Sequence, residues 1–408
     1  MRRRSTALRV LAVVATLGMV AAACSKKTNT GGGGGTTSPG GGGAQTTVKI
    51  AFFGALSGDY KLLVIHGFQA AQLAFEQANS GAFGKLPVKI ELVQEDTQGS
   101  PDQATPLVDK VVSDSDVVGV IGPAFSGESG AVGDRLDQAG IPFITQSATD
   151  DALATHGWTH WFRAVANNSD EAKPAAQYIQ AILKPDCTFV ASDGSAYGHG
   201  LAAIVFNNLK DAGAKVDPEE QVQPGQKDYS ALVTKAKASG CQAFFYGGYS
   251  PEAGLIRKQA TDAGLKSTTM LGGDGIKDDT FLSTSGPAGS GTLSFCPCAD
   301  IVGSDDAAAQ KFVTDYKGKF GTDPGIYAAE AYDIAQIYIA AFKAGKTSRD
   351  QITSFVQGLQ GFHGLTKDYT WQPDGELFPS SRAMFVYKDD GSAWTFVGNA
   401  AELVAAGG

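Results

Sequence analysis

The sequence predicts an α/β protein of two lobes, each built on a doubly wound parallel sheet. Short apolar runs typical of buried strands alternate with segments of helical periodicity along most of the chain. The run Val117–Ile121 is apolar along its length, as in a strand that helices cover on both faces. The chain after residue 46 is too long for one small domain and long enough for two.

The N-terminus has the features of an export signal. A cluster of arginines precedes residues 10–20, an apolar core that is too short to span a membrane. Small residues then lead to Cys24, which resembles the lipidated cysteine of a bacterial lipobox, although Ala21 stands where leucine is common. We expect a lipoprotein signal peptide over residues 1–23 and a lipid on Cys24. The alternative is an ordinary signal peptide with an incidental cysteine.

A tether rich in Gly and Thr follows over residues 24–47, and its composition cannot bury a core. The formal net charge of the chain is −9, and removal of the leader's arginines makes it more negative. An acidic exported chain without a basic stripe is a poor nucleic-acid binder, so we expect no nucleic-acid partner. The sequence therefore predicts an exported body that a lipid anchors to the outer face of the cell membrane.

The first α/β run precedes residue 165. Its helices carry an apolar stripe, as shown by Val132, Leu136 and Ala139 at helical spacing. Strands are predicted at residues 48–53, 88–93, 117–121 and 141–144, with helices at residues 67–79 and 103–113 and from residue 131.

The pattern then restarts and continues to residue 271, which predicts a second sheet with right-handed crossovers. Helices are predicted at residues 172–183, 200–212, 229–239 and 252–263, with strands at 187–191, 215–217, 241–246 and 269–271. The last third adds helices at 307–320 and 326–344 and a hairpin-like stretch at 369–397.

Hydroxyl side chains follow two successive strands of the first run. Ser126 follows the strand Val117–Ile121, and Ser147 and Thr149 follow the next strand. The carboxyl ends of parallel strands share one edge of a sheet, which is where ligands bind in such folds. Free N–H groups at a helix start favour a carboxylate or a phosphate. This pattern indicates an anion site, most simply for a carboxylate; the alternative is that Ser126 and Thr149 only cap helices.

Seven stretches after the tether carry a family signature. They are residues 49–58, 117–122, 145–149, 193–201, 228–265, 272–275 and 369–371, of which 228–265 is the most specific. On these stretches the chain resembles the leucine/isoleucine/valine-binding proteins, which have the type I periplasmic-binding fold and serve branched-chain amino-acid ABC importers. The resemblance implies two lobes joined by a three-segment hinge.

The resemblance also implies lobe boundaries and hinge segments. The N-terminal lobe is expected at residues 48–165 and 299–380, and the C-terminal lobe at residues 166–298 and 381–408. The hinge segments are expected at residues 164–168, 295–299 and 380–386.

The resemblance implies separate sites for the two charged groups of an amino acid. Ser126 and Thr149 match the residues that hold the ligand carboxylate. Asp274 matches the acidic partner of the ligand ammonium, and Ser147 matches the position whose carbonyl accepts from it. A zwitterion in a dry cleft needs each charge paired, which agrees with these roles. Asp274 is one methylene shorter than the glutamate usual in the family, and Asp is also common in Gly-rich turns such as this one.

The resemblance places aromatic residues around the ligand. Tyr197 and Tyr249 match residues that close over it from the second lobe, and Tyr327 matches an aromatic that lines the pocket. Phe125 stands where well-studied members carry a half-cystine. Tyr60 is only a candidate for a family tyrosine of the first lobe. Each tyrosine could instead pack within a lobe.

The implied function is capture of a neutral aliphatic amino acid and its delivery to ABC permease subunits, by a protein that we expect to be a monomer. The alternatives are an anchored ligand sensor, or a binder of an amide, a urea-like solute or an aromatic acid on the same fold. These alternatives leave the fold unchanged and alter the ligand or the signalling partner.

Motifs for an enzyme are weak. His156 and His160 have a metal-ligand spacing, but they lie in a loop and no glutamate follows His156. Residues 127–130 do not satisfy the Gly-x-Ser-x-Gly pattern of a nucleophile elbow. We expect no catalytic residues, no metal and no cofactor.

Four cysteines follow Cys24, an even number that permits disulfides in an exported chain. Cys187 and Cys241 each open a predicted strand, so a bridge is feasible if the strands are neighbours. Cys296 and Cys298 flank Pro297 and form either a tight disulfide ring or two thiols.

Overall fold

A computed structural model describes residues 45–407. The signal peptide, Cys24 and most of the tether lie outside this range. Five parallel strands form the first sheet, in the order β2-β1-β3-β4-β5. They are β1 (Thr46–Gly54), β2 (Val88–Asp96), β3 (Val117–Ile121), β4 (Phe143–Thr145) and β5 (Trp161–Arg163).

The second sheet has seven strands in the order β14-β13-β10-β9-β8-β6-β7. Its strands are β6 (Thr188–Ser192), β7 (Glu220–Gln221), β8 (Ala243–Gly247), β9 (Thr269–Gly272), β10 (Leu293–Cys296), β13 (Phe385–Asp389) and β14 (Trp394–Asn399). The pairs β7–β6, β6–β8, β8–β9 and β9–β10 are parallel. Strand β13 pairs antiparallel with β10 and with β14. Two short strands, β11 (Phe362–His363) and β12 (Asp368–Tyr369), form a separate antiparallel pair.

Twelve α-helices accompany the sheets in residues 45–407. They are α1 (Ile65–Asn79), α2 (Pro101–Ser113), α3 (Ser126–Gln138), α4 (Asn168–Tyr178), α5 (Ala196–Asp211), α6 (Ser230–Ser239), α7 (Ser250–Asp262), α8 (Asp279–Ser285), α9 (Ala307–Phe320), α10 (Ala328–Lys343), α11 (Arg349–Gln357) and α12 (Ala400–Gly407). None of the helices in the described range is long and apolar enough to cross a membrane.

Helices cover each sheet on both faces. Successive side chains of a strand point to opposite sides, so one strand contributes to two cores. In β1, Ile50 and Phe52 join the core that contains α1 and α10, whereas Phe53 joins the core that contains α2 and α3. In the second sheet, Val190 packs with α4 and α5, and Phe189 packs with α6 and α7. The observed α/β architecture of two sheets agrees with the predicted fold class.

The chain passes between the sheets three times. It leaves the first sheet after Arg163 and the second after Cys296, and it returns to the second at Phe385. The helices α9 and α10 pack against the first sheet's core although they follow ten strands in the chain. The exact lobe boundaries stay a prediction.

Several predicted elements differ in their bounds. The fourth helix begins at Asn168 rather than at residue 172, because Asn167 caps it by accepting from the N–H of Asp170 at 3.0 Å. The predicted strand at 215–217 is wrong: only a bridge between Val216 and Thr188 forms there, and β7 follows it. The predicted hairpin-like stretch contains the β13–β14 hairpin only in its second half, and α11 and α12 were not predicted.

Candidate functional site

A small cavity lies between the two lobes, at the carboxyl ends of the parallel strands. Seven predicted site residues line it, together with four others. The lining residues are Leu63, Val64, Ala124, Phe125, Ser126, Ser147, Tyr197, Tyr249, Asp274, Gly275 and Tyr327. The cavity therefore has hydroxyl, aromatic and acidic walls.

The hydroxyl wall is built by the loops after β3 and β4. Ser126 is the first residue of α3, where the first N–H groups of a helix have no partner within the helix. Its Oγ accepts from the N–H of Asp150 at 3.2 Å, and the Ser147 hydroxyl donates to the carbonyl of Ala124 at 2.7 Å. These bonds join the two loops, so the wall is set by contacts between them.

Thr149 does not line the cavity in this structure. It is fully buried, and its hydroxyl has no hydrogen-bond partner within residues 45–407. It lies in the same loop as Ser147, next to Asp150. A buried hydroxyl with no partner is costly, so Thr149 Oγ1 is an unsatisfied polar group close to the hydroxyl wall.

The acidic wall centres on Asp274, which follows β9 in a short 3₁₀ turn, Asp274–Ile276. Its Oδ2 accepts from the Tyr327 hydroxyl at 2.6 Å, a bond between the two lobes. Its backbone N–H donates to Oε1 of Glu171 at 3.0 Å. Burial raises the pKa of Asp274.

Glu171 was missed by the sequence analysis. It is fully buried in the first turn of α4, and burial followed by the charge of Asp274 raises its pKa well above the ordinary value. In the sequence it is one of two adjacent acids at a helix start, a common place for an acid. No signal in the chain distinguishes it from Asp170.

Aromatic residues of both lobes form the roof. Tyr197 and Tyr249 stack with ring centroids 5.1 Å apart, and Tyr249 packs edge-on against Phe125 at 5.2 Å. Tyr60 contacts Tyr249 at 5.4 Å from the first lobe, although it does not line the cavity. Tyr327 is the residue before α10, and its φ of 59° lies in the left-handed region.

The apolar floor was also missed. Leu63 and Val64 lie between β1 and α1 and are buried against the first lobe's core. In the sequence they belong to a short apolar stretch that has no clear period. The cavity thus combines polar ends with an apolar wall, which suits a small molecule that has both characters.

The cysteines pair in two disulfides away from the cavity lining. Cys187 bonds to Cys241 with Cα atoms 4.7 Å apart, and Cys296 bonds to Cys298 with Cα atoms 5.1 Å apart. The first bridge lies within the second lobe at the start of β6 and β8. The second lies at the end of β10, where the chain crosses between lobes.

The two histidines with metal-like spacing have separate roles. His160 Nδ1 contacts Asp137 at 2.8 Å, and His156 stacks on Trp158 at 4.2 Å between ring centroids. Within residues 45–407 there is no group of three His, Cys, Asp or Glu side chains that could hold a metal ion.

Comparisons with known proteins agree with the observed fold. The family model described as periplasmic binding protein matches residues 47–392. A leucine-, isoleucine-, valine-, threonine- and alanine-binding protein of Pseudomonas aeruginosa is 30% identical over 335 residues, which are 82% of this chain and 88% of that protein.

Two solved structures share the fold. A branched-chain amino acid transporter substrate binding protein of Streptococcus pneumoniae, in complex with isoleucine, is 26% identical, with a TM-score of 0.77 over 86% of this chain and 100% of that one. A leucine binding protein of Thermotoga maritima is 22% identical, with a TM-score of 0.79 over 86% of this chain and 98% of that one.

Proposed function

This chain belongs to the periplasmic binding protein family, and we propose on that basis that it captures a neutral aliphatic α-amino acid and delivers it to an ABC importer. Leucine, isoleucine and valine are the favoured ligands. The observation that carries the proposal is a single cavity with a hydroxyl-lined helix start on one side and a buried acid on the other. Relatives that bind these amino acids support it.

The ligand carboxylate is assigned to the hydroxyl wall. Ser126 Oγ and the first N–H groups of α3 offer donors there, and Thr149 Oγ1 is a buried hydroxyl that such a ligand can satisfy. The positive end of the helix dipole favours the same anion.

The ligand ammonium is assigned to Asp274, with the carbonyl of Ser147 as a second acceptor. Asp274 is 5% exposed, so its charge is paired with the ammonium away from water, where such hydrogen bonds are strongest. The aliphatic side chain then lies against Leu63, Val64 and the aromatic roof. Tyr197, Tyr249 and Tyr327 close the cavity, and Phe125 forms part of its wall.

The cellular setting is proposed from the sequence. Residues 1–23 direct export, and a lipid on Cys24 holds the protein at the outer face of the membrane. The tether then lets the body reach permease subunits of the importer. We propose a monomer that acts by binding and release and has no enzymatic activity.

A thermal-shift panel tests the ligand class on purified protein that lacks residues 1–24. A ligand that binds only the folded state at 100 times its Kd stabilises that state by about 2.7 kcal/mol, and raises its melting temperature. We expect leucine, isoleucine and valine to do so. The panel should include short amides, urea and aromatic acids. A shift with one of those compounds and none with any amino acid would show that the assigned ligand class is wrong.

A further inference from the structure

Asp274, which lines the cavity, is in contact with a second buried acid, Glu171, which does not line it. Asp274 is 5% exposed and Glu171 is 0% exposed. Among residues 45–407, neither forms an ion pair with a lysine, arginine or histidine. Two buried carboxylates without a cation would be strongly unfavourable, so the charge state of this pair determines what it can bind.

The two residues are in direct contact. The backbone N–H of Asp274 donates to Glu171 Oε1 at 3.0 Å. Ionised carboxylates only accept hydrogen bonds, so a bond between two carboxyl groups needs a proton on one of them. Glu171 Oε2 and Asp274 Oδ1 have no donor among the described residues, and a shared proton would satisfy both.

The close approach is built into the backbone at Gly273. A Cβ at this position would collide with Glu171 Oε1 and with the hydroxyl of Tyr197. Glycine therefore allows the acid from α4 to reach the turn that carries Asp274.

The surroundings decide which carboxyl carries the proton. Asp274 Oδ2 accepts from the Tyr327 hydroxyl at 2.6 Å, a bond that favours ionised Asp274. Glu171 receives one backbone N–H, and its pKa is raised well above the ordinary value by burial and by the charge of Asp274. The titratable groups that face the pair are Tyr197 on α5 and Tyr327 before α10. Burial raises the pKa of both phenols well above 10, so neither ionises near neutral pH.

We propose that Glu171 is protonated and donates a hydrogen bond to the ionised Asp274, so that the pair presents one negative charge to the ammonium group of the ligand. This inference rests on the proposed function, which supplies the ammonium. One anion matches one ammonium, whereas two buried carboxylates would leave a charge unpaired. Glu171 is thus a positioning residue that acts through Asp274.

Infrared spectroscopy of the protein without added ligand tests the protonation directly. At about pH 8, above the ordinary range of carboxyl groups, Glu171→Gln should remove a band of the protonated acid and leave carboxylate bands unchanged. Glu128→Gln is a matched control, because Glu128 is also fully buried but its pKa is about 7. At the same pH this control should remove mainly carboxylate intensity. Loss of a carboxylate band in Glu171→Gln would overturn the proposal.

Calorimetric binding of leucine gives a second test. Glutamine is isosteric with protonated glutamate and keeps a donor, so Glu171→Gln should bind leucine within about threefold of wild type. Glu171→Leu removes the donor and should weaken binding more than about tenfold. Because the donor favours ionised Asp274, Glu171→Leu should also move the loss of affinity on acidification to higher pH, whereas Glu171→Gln should not.

A tenfold loss in Glu171→Gln, or failure of this variant to fold, would contradict a protonated Glu171, since the variant reproduces that state. If wild type binds no leucine, the proposed function fails, and the infrared result still decides the protonation of Glu171.

Discussion

Asp274 joins the two lobes at the level of single atoms. Its own segment belongs to the second sheet, yet its Oδ2 accepts from Tyr327, which packs in the core of the first lobe. An ammonium bound at Oδ1 would add a further link to the same carboxylate. We infer that Asp274 both pairs with the ligand charge and links the two lobes when they close, because its partners lie on opposite sides of the cavity.

Asp274→Ala should weaken leucine binding by about 2–5 kcal/mol, because the buried ammonium loses its anionic partner. Asp59→Ala is the matched control: Asp59 is exposed near Tyr60, so its removal changes the net charge equally without touching the cavity lining. Isothermal titration calorimetry of both variants measures the difference. A loss of less than about 1.4 kcal/mol, or tenfold, in Asp274→Ala would exclude the assigned role.

The pH dependence of binding follows from the same carboxyl. The pKa of Asp274 is raised by burial, so on acidification it takes up a proton at a higher pH than an ordinary Asp. Only the ionised form pairs with an ammonium, so leucine affinity should fall as the pH drops through that raised pKa. Calorimetry over an acid pH series measures this, and Asp274→Asn should abolish the dependence. An affinity that stays constant until the protein unfolds would count against Asp274 as the ammonium partner.

At the scale of elements, the segments that cross between lobes are held by specific contacts. Glu330 at the start of α10 accepts from the N–H of Ala299 at 3.0 Å, and Tyr387 of β13 donates to the carbonyl of Cys298 at 2.9 Å. Arg163 forms a buried ion pair with Glu376. Closure requires a few residues at element ends to change their dihedral angles, and these contacts limit which ones can.

The Cys296–Cys298 disulfide lies in one of these crossings, and we predict that it affects closure more than stability. A ring of so few residues removes little entropy from the unfolded chain, about 1.6 kcal/mol, whereas it restricts the dihedral angles of the crossing. Replacing both cysteines by alanine should therefore change the dimensions seen by small-angle scattering with and without leucine. The melting temperature should change little.

The Cys187–Cys241 disulfide serves as the control. It joins residues 54 apart within the second lobe, so its removal should cost about 4 kcal/mol and lower the melting temperature. The open and closed dimensions should stay the same. If the Cys296–Cys298 variant also keeps wild-type dimensions with and without leucine, that disulfide is only a local cross-link and does not affect closure.

At the scale of the molecule, the two sheets place a cavity where the ends of their parallel strands face each other. Neither sheet contains the whole site: the hydroxyl wall follows strands of the first, and Asp274 follows a strand of the second. A ligand that contacts both walls favours the closed arrangement by its differential affinity. The importer would then receive a closed, loaded protein.

Anchoring is the prediction that concerns the whole protein in its cell. Cys24→Ala should move the protein from the membrane fraction to the soluble exported fraction, because the Gly- and Thr-rich tether has no apolar face. Fractionation followed by immunoblotting measures this, with Ser25→Ala as the control that leaves the lipobox cysteine in place. Persistent membrane association of Cys24→Ala would reveal another anchor.

The fold class and the local position of most site residues follow from the amino-acid sequence alone. Alternating apolar periods predict strands and helices, and residues such as Ser126, Ser147 and Asp274 follow strands directly, so their place at a sheet edge is a local property. The resemblance supplied the tyrosines. Helix boundaries were predicted less accurately where a capping residue sets the start of the helix, as Asn167 does for α4.

Which residues from distant parts of the chain meet depends on the tertiary structure. Glu171 and Asp274 are 103 positions apart, and their contact depends on how α4 packs against the turn that follows β9. The same holds for Leu63 and Val64, whose short apolar stretch becomes a cavity wall only when the second lobe faces it. Periodicity reports the face that a residue presents, whereas the pairing of two charges depends on the packing of whole elements. The acid pair therefore had no signature in the sequence.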